Sequence, residues 1–171
     1  NNLAPTTSTT AQLVMGDALA VCLLKLRGFS ATDFANYHPG GSLGKKMYMR
    51  VHDLSSKNDA PAVDINESIT NVIIEISSKR LGTTAVIDDG KMIGVITDGD
   101  LRRMIENHDD YKHLTAKDIM TKEPLSIEKD SLIVNALSLM RENNITQLPV
   151  MDGDNYSGVI HLHDILKEGI F

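Results

Sequence analysis

One strand-to-helix junction occurs twice in this chain, 64 positions apart. The first copy reads Gly94-Val95-Ile96-Thr97-Asp98-Gly99-Asp100-Leu101, the second Gly158-Val159-Ile160-His161-Leu162-His163-Asp164-Ile165. Gly-Val-Ile is apolar and β-branched, which suits a buried strand. Asp98-Gly99 breaks the strand, and Leu101, Met104 and Ile105 then take helical spacing. The repeat is wider than the junction: residues 62–101 align without gaps on 126–165, after one extra residue in the loop leading into the first copy. Ile69/Ile133, Asn71/Asn135, Val86/Val150, Asp88/Asp152 and Asp100/Asp164 are identical. Two copies of this length predict paired small domains, because a solenoid needs about three or more shorter repeats.

Each copy has the same predicted grammar of helix, strand, hairpin, strand and closing helix, with a short strand ahead of it at 62–65 or 125–127. Ile69, Val72, Ile73 and Ile76 follow helical spacing, as do Ile133, Ala136, Leu137 and Met140. Asn66 and Asp130 are the predicted N-caps. Strands are predicted at 83–87 and 147–151, turning at Asp89-Gly90 and at Gly153-Asp154-Asn155. Pro149 lies inside the second of these strands, and its missing N–H predicts an edge position or a carbonyl facing a ligand. The fold class is α/β, of the α+β kind, with each copy a small β-sheet carrying two helices.

The first fifty residues differ in character. A hydroxyl-rich stretch at 4–10 is predicted to supply the N-cap of a helix over 11–27. That helix is apolar on nearly every face, so it is predicted to be buried on all sides. Nothing else before residue 50 could cover it, so it reads as the last core helix of a domain whose earlier part is absent, or as an element buried in an oligomer. Gly28 takes the C-cap position, and Ser30-Ala31-Thr32-Asp33 is a capping box for a short helix ending near Tyr37. His38 then stands at the mouth of the Pro39-Gly40-Gly41 turn, and Lys45, Lys46 and Arg50 are predicted to form a solvated basic patch.

Composition removes several function classes. A net charge of −6 without a basic block argues against nucleic-acid and anionic-membrane partners, and 4% aromatic residues leave few base-stacking platforms. No uninterrupted apolar run approaches the ~18 residues of a membrane span. The single Cys22 cannot form an internal disulfide, which fits a reducing, cytoplasmic setting.

The junction itself carries chemistry. Free N–H groups at a helix start attract a phosphate, and the Thr97 hydroxyl can donate to the same group. The two oxygens of Asp100 suit the two hydroxyls of a ribose. Capping of the helix by Asp98 or Asp100 is the simpler reading of either residue alone, and the recurrence of Asp164 in the same frame favours a site. His161 replaces the hydroxyl in the second copy and can still donate to phosphate. His161-Leu162-His163 also has the spacing of a metal pair, but no third ligand stands at suitable distance in the sequence, so no metal is expected. By its own chemistry His38 reads as a loop histidine bonded to backbone, since no partner for catalysis is visible.

Residues 51–171 resemble a tandem pair of CBS domains, carried by Gly-Val-Ile-Thr-Asp-Gly-Asp at 94–100, Gly-Val-Ile-His-Leu-His-Asp at 158–164 and Leu-Pro-Val-Met-Asp at 148–152. Residues 3–50 resemble the tail of a sugar-isomerase (SIS) domain. Leu-Ala-Pro-Thr-Thr-Ser-Thr-Thr-Ala, Met-Gly-Asp-Ala-Leu-Ala and His-Pro-Gly-Gly-Ser-Leu-Gly are similar to arabinose-5-phosphate isomerases. The domains implied are a SIS tail at 1–50, a first CBS domain at 51–112 and a second at 113–171. The resemblance implies a parent enzyme that interconverts ribulose 5-phosphate and arabinose 5-phosphate on the way to the lipopolysaccharide sugar Kdo, with a sugar phosphate as substrate and His38 as a catalytic residue. It implies that this chain alone is inactive, because the family's other catalytic groups lie outside it.

For the CBS pair the resemblance implies a nucleotide ligand contacting Thr97, Asp100, His161, Asp164 and Pro149, with AMP, ATP or CMP-Kdo as regulatory candidates and no required cofactor. His161 departs from the family's Thr or Ser. A homo-oligomer is implied, a dimer of CBS pairs within a tetrameric parent. The alternatives are a CBS scaffold that oligomerises and binds nothing, or the CBS pair of another SIS-domain sugar-phosphate protein.

Overall fold

The apolar N-terminal stretch forms one 21-residue helix, α1 (Thr6–Leu26), in the computed structural model, which describes residues 3–38 and 40–171. The helix starts earlier than its spacing predicts. The hydroxyls of Ser8, Thr9 and Thr10 donate back to the carbonyls of Pro5 and Thr6 instead of capping, and Pro5 stands at the N-cap with no side-chain cap bond. Gly28, at φ +63°, ends it as predicted. No residue of α1 is buried: Leu13 is 67% exposed and Leu19 57%. The predicted burial on all sides is therefore not provided by the described residues. Among the described residues α1 is the one helix long and apolar enough to cross a membrane by length and composition, although its apolar residues form no uninterrupted run of that length.

Helix α2 (Ala31–Tyr37) has the predicted reciprocal box. The Asp33 N–H donates to Ser30 Oγ at 3.1 Å, and the Ser30 N–H and hydroxyl donate to Asp33 Oδ2 at 2.8 and 2.6 Å. Pro39 of the predicted turn lies outside the described residues. Contacts divide the chain into a unit up to Gly44 and a unit from Lys45 onward, the division falling inside α3 (Ser42–Tyr48).

In the second unit α4 (His52–Ser55) precedes the first copy, formed by β1 (Ala62–Asp64), α5 (Ile69–Lys79), β2 (Thr83–Asp88), β3 (Lys91–Thr97) and α6 (Asp98–Asn107). Then α7 (Ala116–Ile119) and β4 (Thr121–Lys122) lead to the second copy, formed by β5 (Ile127–Glu128), α8 (Ile133–Glu142), β6 (Gln147–Asp152), β7 (Asn155–His161) and α9 (Leu162–Lys167). The sheets run β1-β2-β3-β4 and β5-β6-β7, with β1∥β2 and β5∥β6 parallel and the hairpins antiparallel. Both hairpins carry a register shift at the same place, between Val86 and Ile87 and between Val150 and Met151. The predicted caps Asn66 and Asp130 are corrected. Ser68 Oγ accepts from Asn71 N–H at the start of α5, and α8 starts after Leu132 with no side-chain cap bond.

Each lead-in segment packs on the opposite copy. Val51 and Leu54 join the core of the second copy with Ile133, Leu148, Ile160 and Ile165, whereas Ala116 joins the core of the first with Val72, Val86 and Ile96. The exchange is symmetric in hydrogen bonds as well: Val51 N–H donates to the Ser131 carbonyl, and Ala116 N–H to the Glu67 carbonyl, each at 2.9 Å. The predicted solvated patch is corrected for the same reason. Lys45 Nζ lies 2.7 Å from Glu168 Oε2, Lys46 donates to the Phe171 carbonyl, and Arg50 donates to the Asp130 carbonyl, so these cations fasten the lead-in to the second copy.

Candidate functional site

Strand β3 delivers Thr97 to the start of α6, and the pair Thr97–Asp100 forms a reciprocal capping box. Thr97 N–H and Oγ1 donate to Asp100 Oδ2 at 2.8 and 2.7 Å, and Asp100 N–H donates to Thr97 Oγ1 at 3.3 Å. The simpler capping reading is thus realised, yet the box also lines a cleft. On its other oxygen Asp100 accepts from Arg103 Nη2 and, at 3.4 Å, from Thr121 Oγ1. Asp100 is only 7% exposed, whereas the Arg103 side chain is 64% exposed. Burial pulls the Asp100 carboxyl upward, but the bonds from Thr97 and Arg103 outweigh it and hold the group below the ordinary carboxylate range. Its contribution to stability is present above about pH 4 and is lost as pH falls through the depressed folded value.

The cleft holds about 370 Å³, at the small end of the range for ligand pockets. The first copy contributes Thr83, Val95, Thr97, Asp100 and Arg103; the connection contributes Thr121, Pro124 and Leu125; the second copy contributes Asn143, Ile145, Gln147 and Pro149. The charged groups, Asp100 and Arg103, therefore come from the first copy, and the second copy supplies two amides with Ile145 and Pro149. Pro149 lies on β6, the central strand of its sheet, so the predicted edge position is corrected. Strand β5 is only two residues long and registers with Val150 and Met151, beyond Pro149, so a missing N–H breaks no ladder bond. At the equivalent place in the first copy, Ala85 N–H donates to the Pro61 carbonyl at 3.0 Å.

Thr97, Asp100 and Pro149 thus meet in one cleft, but His161 and Asp164 do not join them. Asp164 lines a separate hollow with Asn58 and Lys167. His161 Nδ1 accepts from His163 N–H at 3.0 Å, and the two rings stack at 4.9 Å. Burial, reinforced by His163, holds His161 below its ordinary value. The unfolded chain therefore takes up a proton below about pH 6.5 that the folded chain refuses, so stability falls as pH drops through that value. His161→Gln is expected to remove this loss, read as a flatter melting temperature between pH 7 and 5.5. No group of three or more metal-ligating side chains occurs among the described residues. His38 lies in the other unit, exposed at the C-cap of α2, with its ring 4.7 Å from that of Phe34.

Sequence reasoning missed Arg103, Thr121 and Gln147. Arg103 was legible as the residue one helical turn beyond Asp100. Thr121 was not, because only the pairing of Val95 with Thr121 brings β4 to the cleft.

The CBS-domain family model matches residues 51–107 and 116–170. The chain belongs to the CBS-domain family. Its CBS pair has the fold of a Pyrobaculum aerophilum CBS-domain protein solved in complex with AMP, with TM-score 0.62, 19% identity and coverage of 68% of this chain and 90% of that one. A second CBS pair, solved with 5′-methylthioadenosine and S-adenosyl-L-methionine, matches with TM-score 0.62 and 22% identity over 70% of this chain and 94% of that one. At such identities the likeness shows the fold alone. In sequence the chain is 48% identical over 170 residues to arabinose 5-phosphate isomerase KdsD of Escherichia coli K12, covering 98% of this chain and 52% of the relative. The chain spans about half the length of the curated relatives it matches.

Proposed function

We propose that the CBS pair is the regulatory, nucleotide-binding part of an arabinose-5-phosphate isomerase. The observation that carries this reading is the Thr97–Asp100 box opening onto a cleft walled by the other copy. Val95, Leu125, Ile145 and Pro149 offer apolar surface to a base. Asp100 Oδ1 takes a ribose hydroxyl once Arg103, its most exposed donor, swings aside, and the freed guanidinium meets phosphate beside Thr97 and the helix start. Adenosine ligands bound by CBS pairs of the same fold, and the isomerase relatives, support a nucleotide such as AMP or ATP, or the nucleotide sugar CMP-Kdo. Calorimetry with all three is the test. At least one is expected to bind below about 100 μM, and no heat with any of them up to 1 mM would overturn the reading.

In the same reading α1 and α2 belong to the isomerase domain, and α1 is a core helix of it. Its full exposure among the described residues, with a relative about twice as long, supports this. His38 then acts in isomerisation within the intact, cytoplasmic, oligomeric enzyme, and the present chain is inactive on sugar phosphate. A second reading, a CBS scaffold that binds nothing, is favoured by one observation: both oxygens of Asp100 are already satisfied internally. On that reading Asp100 substitutions alter stability and nothing else.

A further inference from the structure

The two copies of the junction are not equivalent, and the difference starts with the extra residue in the loop ahead of the first copy. In the first copy β3 pairs with a backbone strand, Val95 opposite Thr121. In the second copy the corresponding place beside β7 is filled by the loop between α4 and β1, and a side chain makes the connection. Asn58 Nδ2 donates to the Val159 carbonyl at 3.1 Å and to Asp164 Oδ2 at 2.8 Å. Val159 is the counterpart of Val95, and Asp164 of Asp100. Both partners are acceptors, so the orientation of the amide is fixed by the bonds it makes. Tyr156 Oη fastens the end of the same loop by donating to the Pro61 carbonyl at 3.0 Å. Asp164 consequently closes no capping box. His161 accepts from His163 instead, and the other Asp164 oxygen lies 3.7 Å from Lys167 Nζ.

We infer that Asn58 closes the second cleft, so that the pair takes one nucleotide per chain and Asp164 serves as the structural acceptor of the loop. In the first cleft the counterpart contact is a weak hydroxyl bond, Thr121 Oγ1 to Asp100 at 3.4 Å, which leaves the space beside it open. The hollow at Asp164 is smaller, about 250 Å³, and is lined by Leu54, Lys57, Asn58, Lys167 and Glu168, so Leu54 is its one apolar side chain and it has no wall like that of Ile145 and Pro149. The inference rests on the Thr97–Asp100 cleft being the nucleotide site proposed above.

Calorimetry on the 171-residue chain with the tightest binder among AMP, ATP and CMP-Kdo tests it. Wild type and Asp164→Asn are expected to bind one ligand per chain with affinities within about threefold of each other. Asn58→Ala is expected to approach two per chain, and Asn58→Ala/Asp164→Asn to return to one. Two ligands per wild-type chain, a tenfold loss of affinity in Asp164→Asn, or a stoichiometry still at one in Asn58→Ala overturns the inference. If the wild type binds none of the three, the nucleotide reading fails, and the Asn58–Asp164 contact is read from melting temperatures instead. Each single change is expected to lower the melting temperature by about 5 °C, with the double change no worse than the larger single. Additive losses would show that the two side chains do not act together.

Discussion

Asp100→Asn is expected to weaken nucleotide binding about 100-fold and to lower the melting temperature by about 6 °C. Both effects come from one carboxylate. Asn keeps a single acceptor, whereas Asp100 accepts from the Thr97 N–H and hydroxyl on one oxygen and from Arg103 on the other. Whichever way the amide turns, it presents an N–H₂ either to the donors of Thr97 or to the guanidinium. Charge-assisted bonds of this kind are worth about 1.5–3 kcal/mol each, so the loss of one accounts for the fall in stability, and loss of the ribose contact for the fall in affinity. The acid limb of the stability curve, below about pH 4, is expected to flatten in the same variant. Titration calorimetry and thermal melts between pH 2.5 and 7 read both effects, and a variant that keeps wild-type affinity removes Asp100 from the site.

Gly94→Ala is expected to cost about 2 kcal/mol and to weaken nucleotide binding about tenfold. An added Cβ would stand 2.8 Å from Met120 Sδ and 2.9 Å from the Thr121 carbonyl oxygen. The thioether can move aside, but the carbonyl belongs to the short ladder of β3 with β4. Relieving the contact pushes β4 off β3 and carries Thr121 out of the cleft. Gly16→Ala makes a control, because nothing lies within 4 Å of a Cβ at that helical position and no loss is expected. Denaturant unfolding of the two variants separates the outcomes: equal stability for Gly94→Ala and wild type would mean that β4 is free to shift without consequence.

The paired architecture was legible because the repeat carries its own register. The spacing of Ile69, Val72 and Ile76 and of Ile133, Leu137 and Met140 foretold α5 and α8, and the junction frames foretold the steps from β3 to α6 and from β7 to α9. What stayed hidden is long-range. No local pattern announces that Val51 enters the core of the second copy or Ala116 that of the first, since the exchange depends on backbone bonds between segments 80 and 49 residues apart. The placing of Asp164 was misread for the same reason. Its frame is that of Asp100, but its partner is Asn58, 106 positions away, in the one loop where the copies differ in length. Caps were the other weak point. Ser30 acts as read, whereas the N-cap of α6 is Thr97, with Asp100 closing its box, and the hydroxyls at the start of α1 turn back onto preceding carbonyls, an option open to any Ser or Thr in a first turn.

Amide chemical-shift mapping during titration with AMP, ATP or CMP-Kdo tests the central claim most directly. Shifts are expected at Thr97, Gly99, Asp100, Thr121 and Gln147, around the cleft between the copies, with residues 158–168 unmoved. Shifts confined to 158–168, or none at saturating ligand, would contradict it.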